Sequence, residues 1–251
     1  MTVSTDRHGR VLVVRIERPE KRNAIDGPTA EGIDAALNGF QDDPGLWVAV
    51  LTGTSEVFCA GTDIVAGPGE PTPRGGPYGI IRRRHTKPVV AAVEGLALGG
   101  GFEIAMACDL VVASATASFG LPETRRGLVA NSGALARAMR CLPLNVAREL
   151  LLTGARLDAR RAHEVGFVNR LAEPGAAVEV ALELAEEICV ASPTAVSATL
   201  AALEEQWADA EDQGWAATRR AEVRIAEGPD KREGLAAFAE KRPPVWSDPT
   251  P

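Results

Sequence analysis

The sequence has no excess of basic residues and no long apolar run. Its formal net charge of −7 gives it no overall positive field, which argues against nucleic acid as a partner. No apolar stretch approaches the roughly 18 residues that a membrane-spanning helix requires, and no secretory signal opens the chain. We therefore expect a cytoplasmic protein with no nucleic-acid and no membrane partner.

Cysteine is also scarce. The four cysteines at positions 59, 108, 141 and 189 are far apart and form no CxxC pair. This spacing disfavours a zinc site or a thioredoxin-like motif, and the histidines and acidic residues show no metal-ligand spacing either. We expect the thiols to be small buried residues in a reducing compartment, with no metal and no other resident cofactor.

Strand-like and helix-like segments alternate over the first two thirds of the chain, which favours an α/β domain. Asp26 is placed to cap a helix whose buried face holds Ile33, Leu37 and Phe40. A short helix is expected over residues 102–107. Runs of β-branched and apolar residues predict strands at 11–16 (expected to be the first strand), 47–51, 88–93 and 110–113.

Two other regions differ from this alternation. Residues 64–79 are rich in glycine and proline and predict a surface loop, which either has no functional role or forms a lid or wall beside a ligand site. After about residue 133 the pattern becomes mostly helical, with a break at Ser192 and Pro193.

The basic run at 82–85 is expected to lie on a solvated helix face, although it could help to bind phosphates.

Two glycine-containing turns stand out, FCAGTDI at 58–64 and EGLALGGGFE at 94–103. Three consecutive glycines let the backbone approach a ligand closely, and a helix that follows them aims free N–H groups at one point. Together the turns could offer two N–H donors to one oxygen, as in an oxyanion hole. Either turn alone is more often a simple tight turn. A dinucleotide fingerprint is excluded because Ile104 stands where its third glycine belongs.

Two glutamates accompany these turns within apolar surroundings. Glu103 is in the first turn of the expected helix, and Glu123 follows FGLP at 119–122. Each glutamate alone is more often structural, for example as a residue that stabilises a helix dipole. Two carboxylates that converge on a dry pocket would suit general acid–base chemistry.

Taken in order, these segments resemble the enoyl-CoA hydratase/isomerase (crotonase) superfamily. FCAGTDI is similar to its first oxyanion-hole motif, KPVVAAVEG through Glu103 to its second, and FGLPE to the segment with its second glutamate. RPEKRNA at 18–24 and FAEKR at 238–242 also match. The resemblance implies an α/β, crotonase-like spiral of repeated ββα units with an acyl-CoA site over residues 1–190. It implies a helical C-terminal trimerisation region over 191–251.

The resemblance also implies roles for individual residues. The backbone N–H groups of Thr62 and Gly100 would bind the thioester oxygen of an acyl-CoA. Glu103 would mainly activate water and Glu123 would protonate Cα, so that water adds across the 2,3 double bond of an enoyl-CoA. A homotrimer or a hexamer built as a dimer of trimers is implied as well, with coenzyme A entering only as part of the substrate. The residues expected to bind the substrate and its CoA are Lys21, Arg22, Ala24, Ala60, Asp63, Ile64, Asn131 and Lys241.

The sequence departs from the family's pattern beside Glu123. Leu121 stands where many hydratases have Gln, and ANSGA at 130–134 replaces a PGAGG turn. Asn131 and Ser132 are expected close to Glu123, where they would tune the acid, bind a polar substrate group or shape a turn. A straight-chain enoyl substrate is therefore not assured, although the thioester site is intact.

Three alternatives stay open beside a hydratase or dehydratase that uses both glutamates. The first is an isomerase of the same fold with one glutamate as proton shuttle. The second is a serine peptidase of the similar ClpP-like fold, which is disfavoured because the chain has only three histidines and no GxSxG. The third is a non-catalytic acyl-CoA-binding protein, against which the two intact glutamates argue weakly.

Overall fold

The computed structural model describes residues 2–248, and its strands form two sheets. Six strands, in the order β1-β2-β3-β5-β7-β10, form the larger sheet, and the order β4-β6-β8-β9 forms the smaller one. The strands are β1 (Val3–His8), β2 (Val11–Ile16), β3 (Val48–Thr52), β4 (Val57–Cys59), β5 (Val89–Val93), β6 (Leu96–Leu98), β7 (Leu110–Ser114), β8 (Ser118–Gly120), β9 (Arg156–Asp158) and β10 (Arg170–Ala172).

The chain passes repeatedly from the larger sheet to the smaller one, at β3 to β4, β5 to β6 and β7 to β8. Successive strands within each sheet are mostly parallel, and each return therefore needs a crossover segment. The helices are α1 (Gly27–Asp42), α2 (Gly100–Met106), α3 (Ala134–Cys141), α4 (Leu144–Thr153), α5 (Ala159–Glu164), α6 (Ala177–Val190), α7 (Pro193–Glu227) and α8 (Asp230–Ala239). The result is a spiral in which β4 and β6 pair in parallel, so that the carboxyl ends of these two strands lie beside each other.

The central strands β3 and β5 are buried along their whole length, which is why they read as continuous apolar runs. One face of the larger sheet packs on the small side chains of α6, including Ala177, Ala181 and Ala185. The other face packs against α1, α2 and the smaller sheet in the main core. Burying one valine or leucine side chain in such layers stabilises the fold by about 1.5–3 kcal/mol.

Helix α1 begins as the sequence predicts. The Asp26 carboxylate accepts a hydrogen bond of 3.0 Å from the Thr29 N–H and caps the helix. Ile33, Leu37 and Phe40 are all fully buried. The prediction of this helix and its inward face is confirmed.

The C-terminal helices lie over the outer part of the core. Ser192 caps α7, and Gly214 of α7 packs against Ala136 of α3. Gly234 of α8 packs against the Arg126 carbonyl, and the Arg126 guanidinium lies 4.2 Å from the Phe238 ring centroid. Helix α8 thus covers the segment that contains Glu123. Among residues 2–248, no helix has both the length and the apolar character needed to cross a membrane.

Two expectations are wrong in detail. Strand β1 precedes the segment expected to be first, whereas the region after about residue 133 is mostly helical as predicted and also contains the short strands β9 and β10. The basic run at 82–85 is not helical; Arg83 is buried there in an ion pair with Asp34, while Arg82 and Arg84 are exposed. Its charges follow an irregular turn, so they do not form the single solvated face that was expected.

Candidate active site

The two glycine turns meet in direct backbone contact. Gly61 has a φ of +97°, and a Cβ atom on it would lie 2.8 Å from the Leu98 carbonyl oxygen and 3.2 Å from the Gly100 nitrogen. A Cβ on Gly101 would lie only 2.1 Å from the Cys59 carbonyl oxygen. Any larger residue at either position would therefore push the turns apart.

This contact brings together two backbone N–H groups without partners. The isolated bridge between Ile25 and Thr62 uses the Gly61 carbonyl and the Asp63 N–H, and it leaves out the N–H of Thr62. Gly100 starts α2, so its N–H has no acceptor in the preceding turn. Within residues 2–248 neither N–H donates to a protein acceptor. Both donors expected to form the oxyanion hole are therefore available to a ligand.

Glu103 projects from the first turn of α2 and is only 2% exposed. Its Oε1 accepts hydrogen bonds from the N–H groups of Ser132 (2.8 Å) and Ala134 (3.0 Å). Burial, followed by the charge of Glu123, raises the pKa of Glu103 to about 8, while these two N–H groups act in the opposite direction. Ser132 was expected beside Glu123, but the hydrogen bond found here joins its backbone to Glu103.

Glu123 lies in a 3-10 turn, Pro122–Arg126, that follows β8. A Cβ on Gly99 would lie 2.8 Å from its Oε1, so the carboxylate rests on the glycine turn itself. Its Oε2 is buried and has no hydrogen-bond partner in the described part of the chain. Burial raises the pKa of Glu123, and the nearby Arg126 partly offsets this. Because both carboxyls resist ionisation, we treat them as a pair that retains one proton near neutral pH.

Two of the segments expected to bind CoA also come together. The Ala60 N–H donates to the Arg22 carbonyl (3.0 Å), and the Ile25 N–H donates to the Gly61 carbonyl (2.8 Å). Lys21 and Arg22 are exposed and Ala24 is buried beside this pairing. The structure therefore places Lys21, Arg22 and Ala24 next to the segment that runs from Ala60 to Ile64.

Within that segment, Asp63 is fully engaged by protein groups. Its carboxylate pairs with Arg18 at 2.8 Å and accepts hydrogen bonds from the N–H groups of Val65 and Ala66. The Ala66 and Arg18 contacts hold the pKa of Asp63 below its usual range. Ile64 is exposed. Any contribution of Asp63 to CoA binding would thus come from shaping this turn.

The remaining two expected contacts are near the C-terminal helices. Asn131 is exposed, and its side-chain amide donates a 2.6 Å hydrogen bond to Glu222 of α7. Lys241 is exposed just after α8, with a left-handed φ of +54°. Since α8 packs on the Glu123 turn, Lys241 is held on the Glu123 side of the molecule.

Tyr78 is a site residue that the sequence reasoning missed. It is 4% exposed, and its hydroxyl forms a 2.7 Å hydrogen bond with the Thr62 hydroxyl. A Cβ on Gly100 would meet its ring at 2.7 Å. The only available signal was that the chain's single tyrosine stands in the loop rich in glycine and proline.

The family model described as enoyl-CoA hydratase/isomerase matches residues 6–249. The chain belongs to the enoyl-CoA hydratase/isomerase family. Mevalonyl-coenzyme A hydratase of Aspergillus fumigatus is 39% identical over 245 residues, which cover 94% of this chain and 91% of that protein. Carnitinyl-CoA dehydratase of Citrobacter koseri is 39% identical over 251 residues, 96% of each chain.

Solved structures of this family share the fold. A carnitinyl-CoA hydratase from Mycobacterium avium superposes with a TM-score of 0.92 at 39% identity, covering 98% of both chains. An enoyl-CoA hydratase from Mycobacterium tuberculosis superposes with a TM-score of 0.80 at 42% identity, also covering 98% of both chains. The protein therefore has the crotonase α/β fold, with two mixed sheets and C-terminal helices. In the described range 2–248, no group of three or more His, Cys, Asp or Glu side chains could hold a metal ion.

Proposed function

We propose that this family member is an acyl-CoA hydro-lyase that adds water reversibly across the 2,3 double bond of an enoyl-CoA. The observation that carries the proposal is the convergence of Glu103 and Glu123 on the turns that present the Thr62 and Gly100 N–H groups. Relatives named as mevalonyl-CoA hydratase, carnitinyl-CoA dehydratase and enoyl-CoA hydratase support the same class of reaction.

The two N–H groups would polarise the thioester carbonyl. As water attacks C3, electron density moves through C2 to the thioester oxygen, where an enolate develops. Fixed donors aimed at that oxygen stabilise the enolate more than the ground state, and removing one such donor typically costs roughly 100–1000-fold in rate. Because these donors belong to the main chain, a substitution at the Thr62 side chain leaves them in place.

The carboxyl pair would carry the protons. The water oxygen bonds to C3, the ionised carboxylate takes the proton released from water, and the protonated carboxyl delivers its proton to C2. A pair that retains one proton near neutral pH has the composition that this step requires. In the free site the pKa of Glu103, about 8 with its two N–H donors already counted, favours a proton on Glu103, so a base role for Glu103 requires that proton to lie on Glu123 once substrate is bound. We keep the assignment of water activation to Glu103 and of C2 protonation to Glu123.

The cationic side chains would hold the phosphates of CoA. Lys21 and Arg22 are exposed next to Ala60, at the entrance to the paired turns. Lys241 would add a cation from the C-terminal end, either in the same chain or in a neighbour. Ala24, Ala60, Asp63 and Ile64 would shape the groove for adenine and pantetheine.

The C-terminal region from residue 191 is proposed to assemble the protein into a homotrimer, or a hexamer of two trimers. Large apolar side chains on α7 and α8 remain exposed in one chain: Leu203, Trp207, Val223 and Phe238. Exposed apolar surface of this kind favours packing against another protein surface. Residues 1–190 would then form the catalytic core of each subunit.

The test is hydration of crotonyl-CoA, followed by loss of enoyl absorbance, in wild type and in the Glu103→Gln and Glu123→Gln variants. Each variant should lower kcat by roughly 100- to 10,000-fold, the range for general acid–base groups, with CoA affinity nearly unchanged. Glu94→Gln is a matched control, because Glu94 is also buried but bonds the Ala177 N–H, at the opposite end of β6 from Gly99 and Gly100.

The outcomes separate the alternatives. Wild-type turnover in Glu123→Gln would show that Glu123 is not an acid–base residue. Conversion of a 3-enoyl-CoA to a 2-enoyl-CoA that needs only one glutamate would establish an isomerase. Tight CoA binding without turnover of any thioester would establish a binding protein.

A further inference from the structure

Tyr78 lies at the centre of the candidate site, although neither the sequence motifs nor the proposed mechanism uses it. Its ring contacts Gly100 and its hydroxyl bonds the side chain of Thr62, so it spans the two residues that supply the N–H donors. Glu123 rests on the preceding Gly99. Tyr78 and Glu123 therefore lie against consecutive residues of the same turn, where the acyl group would enter.

The loop holds Tyr78 in a costly conformation. Its φ of 55° and ψ of 12° are left-handed, which is uncommon for a bulky residue and typically persists only where the surroundings enforce it. Gly79 packs so closely on α1 that a Cβ there would lie 2.3 Å from the Ala30 carbonyl oxygen. Thr72 and Gly76 pair through two backbone hydrogen bonds and close the turn. Strain of this kind clusters at ligand-binding positions.

The neighbours of the Tyr78 hydroxyl are polar. Burial and the adjacent Glu103 carboxyl raise the pKa of Tyr78 far above its usual range, so the hydroxyl stays protonated. Two hydroxyls carry two protons, and the bond between Tyr78 and Thr62 uses one of them. The pair therefore keeps one donor for another acceptor, and the buried Ser132 lies beside it.

A hydrocarbon chain against this wall would exclude water and leave that donor with only the neighbouring Ser132 hydroxyl to accept its hydrogen bond, which is less favourable than contact with a polar group. An oxygen atom on the acyl group would accept that hydrogen bond. A carboxylate substituent is disfavoured, since Glu103 and Glu123 would repel a further negative charge. The chemistry of the wall therefore fits a neutral oxygen, such as a hydroxyl group.

Building on the proposed hydro-lyase function, we propose that Tyr78 is a specificity-determining residue. It favours enoyl-CoA substrates that carry a neutral hydroxyl group next to the reacting C2 and C3 carbons, for example on C4. The Tyr78 and Thr62 hydroxyls bind that oxygen while the backbone N–H groups bind the thioester. Tyr78 takes no proton in the reaction and acts on the choice of substrate.

The test compares crotonyl-CoA with 4-hydroxycrotonyl-CoA, which differs from it by one hydroxyl group. The readout is the ratio of the two kcat/KM values, in which a general loss of folded enzyme cancels. Wild type should favour the hydroxylated substrate, and Tyr78→Phe should lower the ratio by roughly tenfold, the value of one net hydrogen bond. Thr52→Val is the control, because its buried hydroxyl bonds the Ala92 carbonyl in the larger sheet, away from the Tyr78 loop; it should keep the wild-type ratio.

An unchanged ratio in Tyr78→Phe, or an equal loss on both substrates, would overturn the proposal. If wild type hydrates neither substrate, the proposed function fails, and the binding of saturated acyl-CoA ligands then tests the role of Tyr78. Butyryl-CoA and 4-hydroxybutyryl-CoA then replace the substrates, and the single tyrosine is labelled with carbon-13 at Cζ. A shift of this one signal and tighter binding, both specific to the hydroxylated ligand, would support the role, and equal affinities would refute it.

Discussion

Substitution of Gly61 by alanine tests whether backbone contact between the two turns creates the candidate oxyanion hole. The new Cβ would lie 2.8 Å from the Leu98 carbonyl oxygen, about 0.6 Å closer than the 3.4 Å at which ordinary contacts begin. It would also lie 3.2 Å from the Gly100 nitrogen. The turns must separate by about half an ångström to relieve this contact, which would stretch one of the two donor–oxygen distances beyond about 3.2 Å.

The expected result is a large loss of rate with a smaller loss of stability. Displacing one oxyanion donor should lower kcat for crotonyl-CoA by roughly 100-fold or more. The φ of +97° adds a backbone cost of about 1–3 kcal/mol, which urea unfolding would measure. CoA affinity should change little, because the cations at Lys21 and Arg22 are unaffected.

Gly166→Ala provides the control for backbone strain. Gly166 has a similar φ of +87°, yet a Cβ there would meet no atom within 4 Å. It should therefore lose stability without the rate loss. If the two variants kept similar kcat values, the contact between the turns would not position the donors, and the reasoning would be refuted.

Two further predictions concern the carboxyl pair and the assembly. The pKa of Glu103 in the folded protein, about 8, lies above the ordinary value of 4.5, so stability from its bound proton is complete below pH 4.5 and is lost as the pH rises through about 8. The variant Glu103→Gln keeps a side-chain oxygen as acceptor and does not titrate. The Tm of this variant minus the Tm of wild type should therefore become more positive from pH 5 to pH 9, and a constant difference would contradict this. Light scattering should give a mass three or six times that of one chain, and Leu203→Glu combined with Val223→Glu should shift it towards the single chain. A clean monomer for wild type would rule out the assembly.

The parts of the fold that could be predicted are those that local pattern determines. Strands β3 and β5 are buried on both faces and therefore appear as unbroken apolar runs, and Asp26 caps α1 through a contact three residues away. Strand β1 was missed because it lies at the sheet edge, where only Val3 of its six residues is buried. Its pairing with β2, not its own composition, makes it a strand.

At the candidate site, too, the residues that could not be predicted are those whose positions depend on contacts with distant segments. Glu103, Glu123 and the two glycine turns belong to short motifs, so their approach could be expected from the resemblance. Tyr78 reaches the site through a loop conformation that depends on contacts between Gly79 and α1, which no spacing rule describes. Arg83 is buried because Asp34, 49 positions earlier, neutralises it, and charge along the sequence alone suggested a solvated face.

The direct packing of Gly61 and Gly101 on neighbouring backbone means that the N–H groups proposed to polarise the carbonyl are positioned by main chain and not by side chains. Laboratory evolution should therefore be able to change Tyr78, which we propose to contact the acyl group, without altering the proposed polarisation of the thioester. A mutant library confined to residues 64–79 and 130–132 would search new substrates while keeping the carbonyl chemistry constant. In the proposed function, the groups that polarise the carbonyl and the residues that select the substrate thus occupy separate parts of this chain.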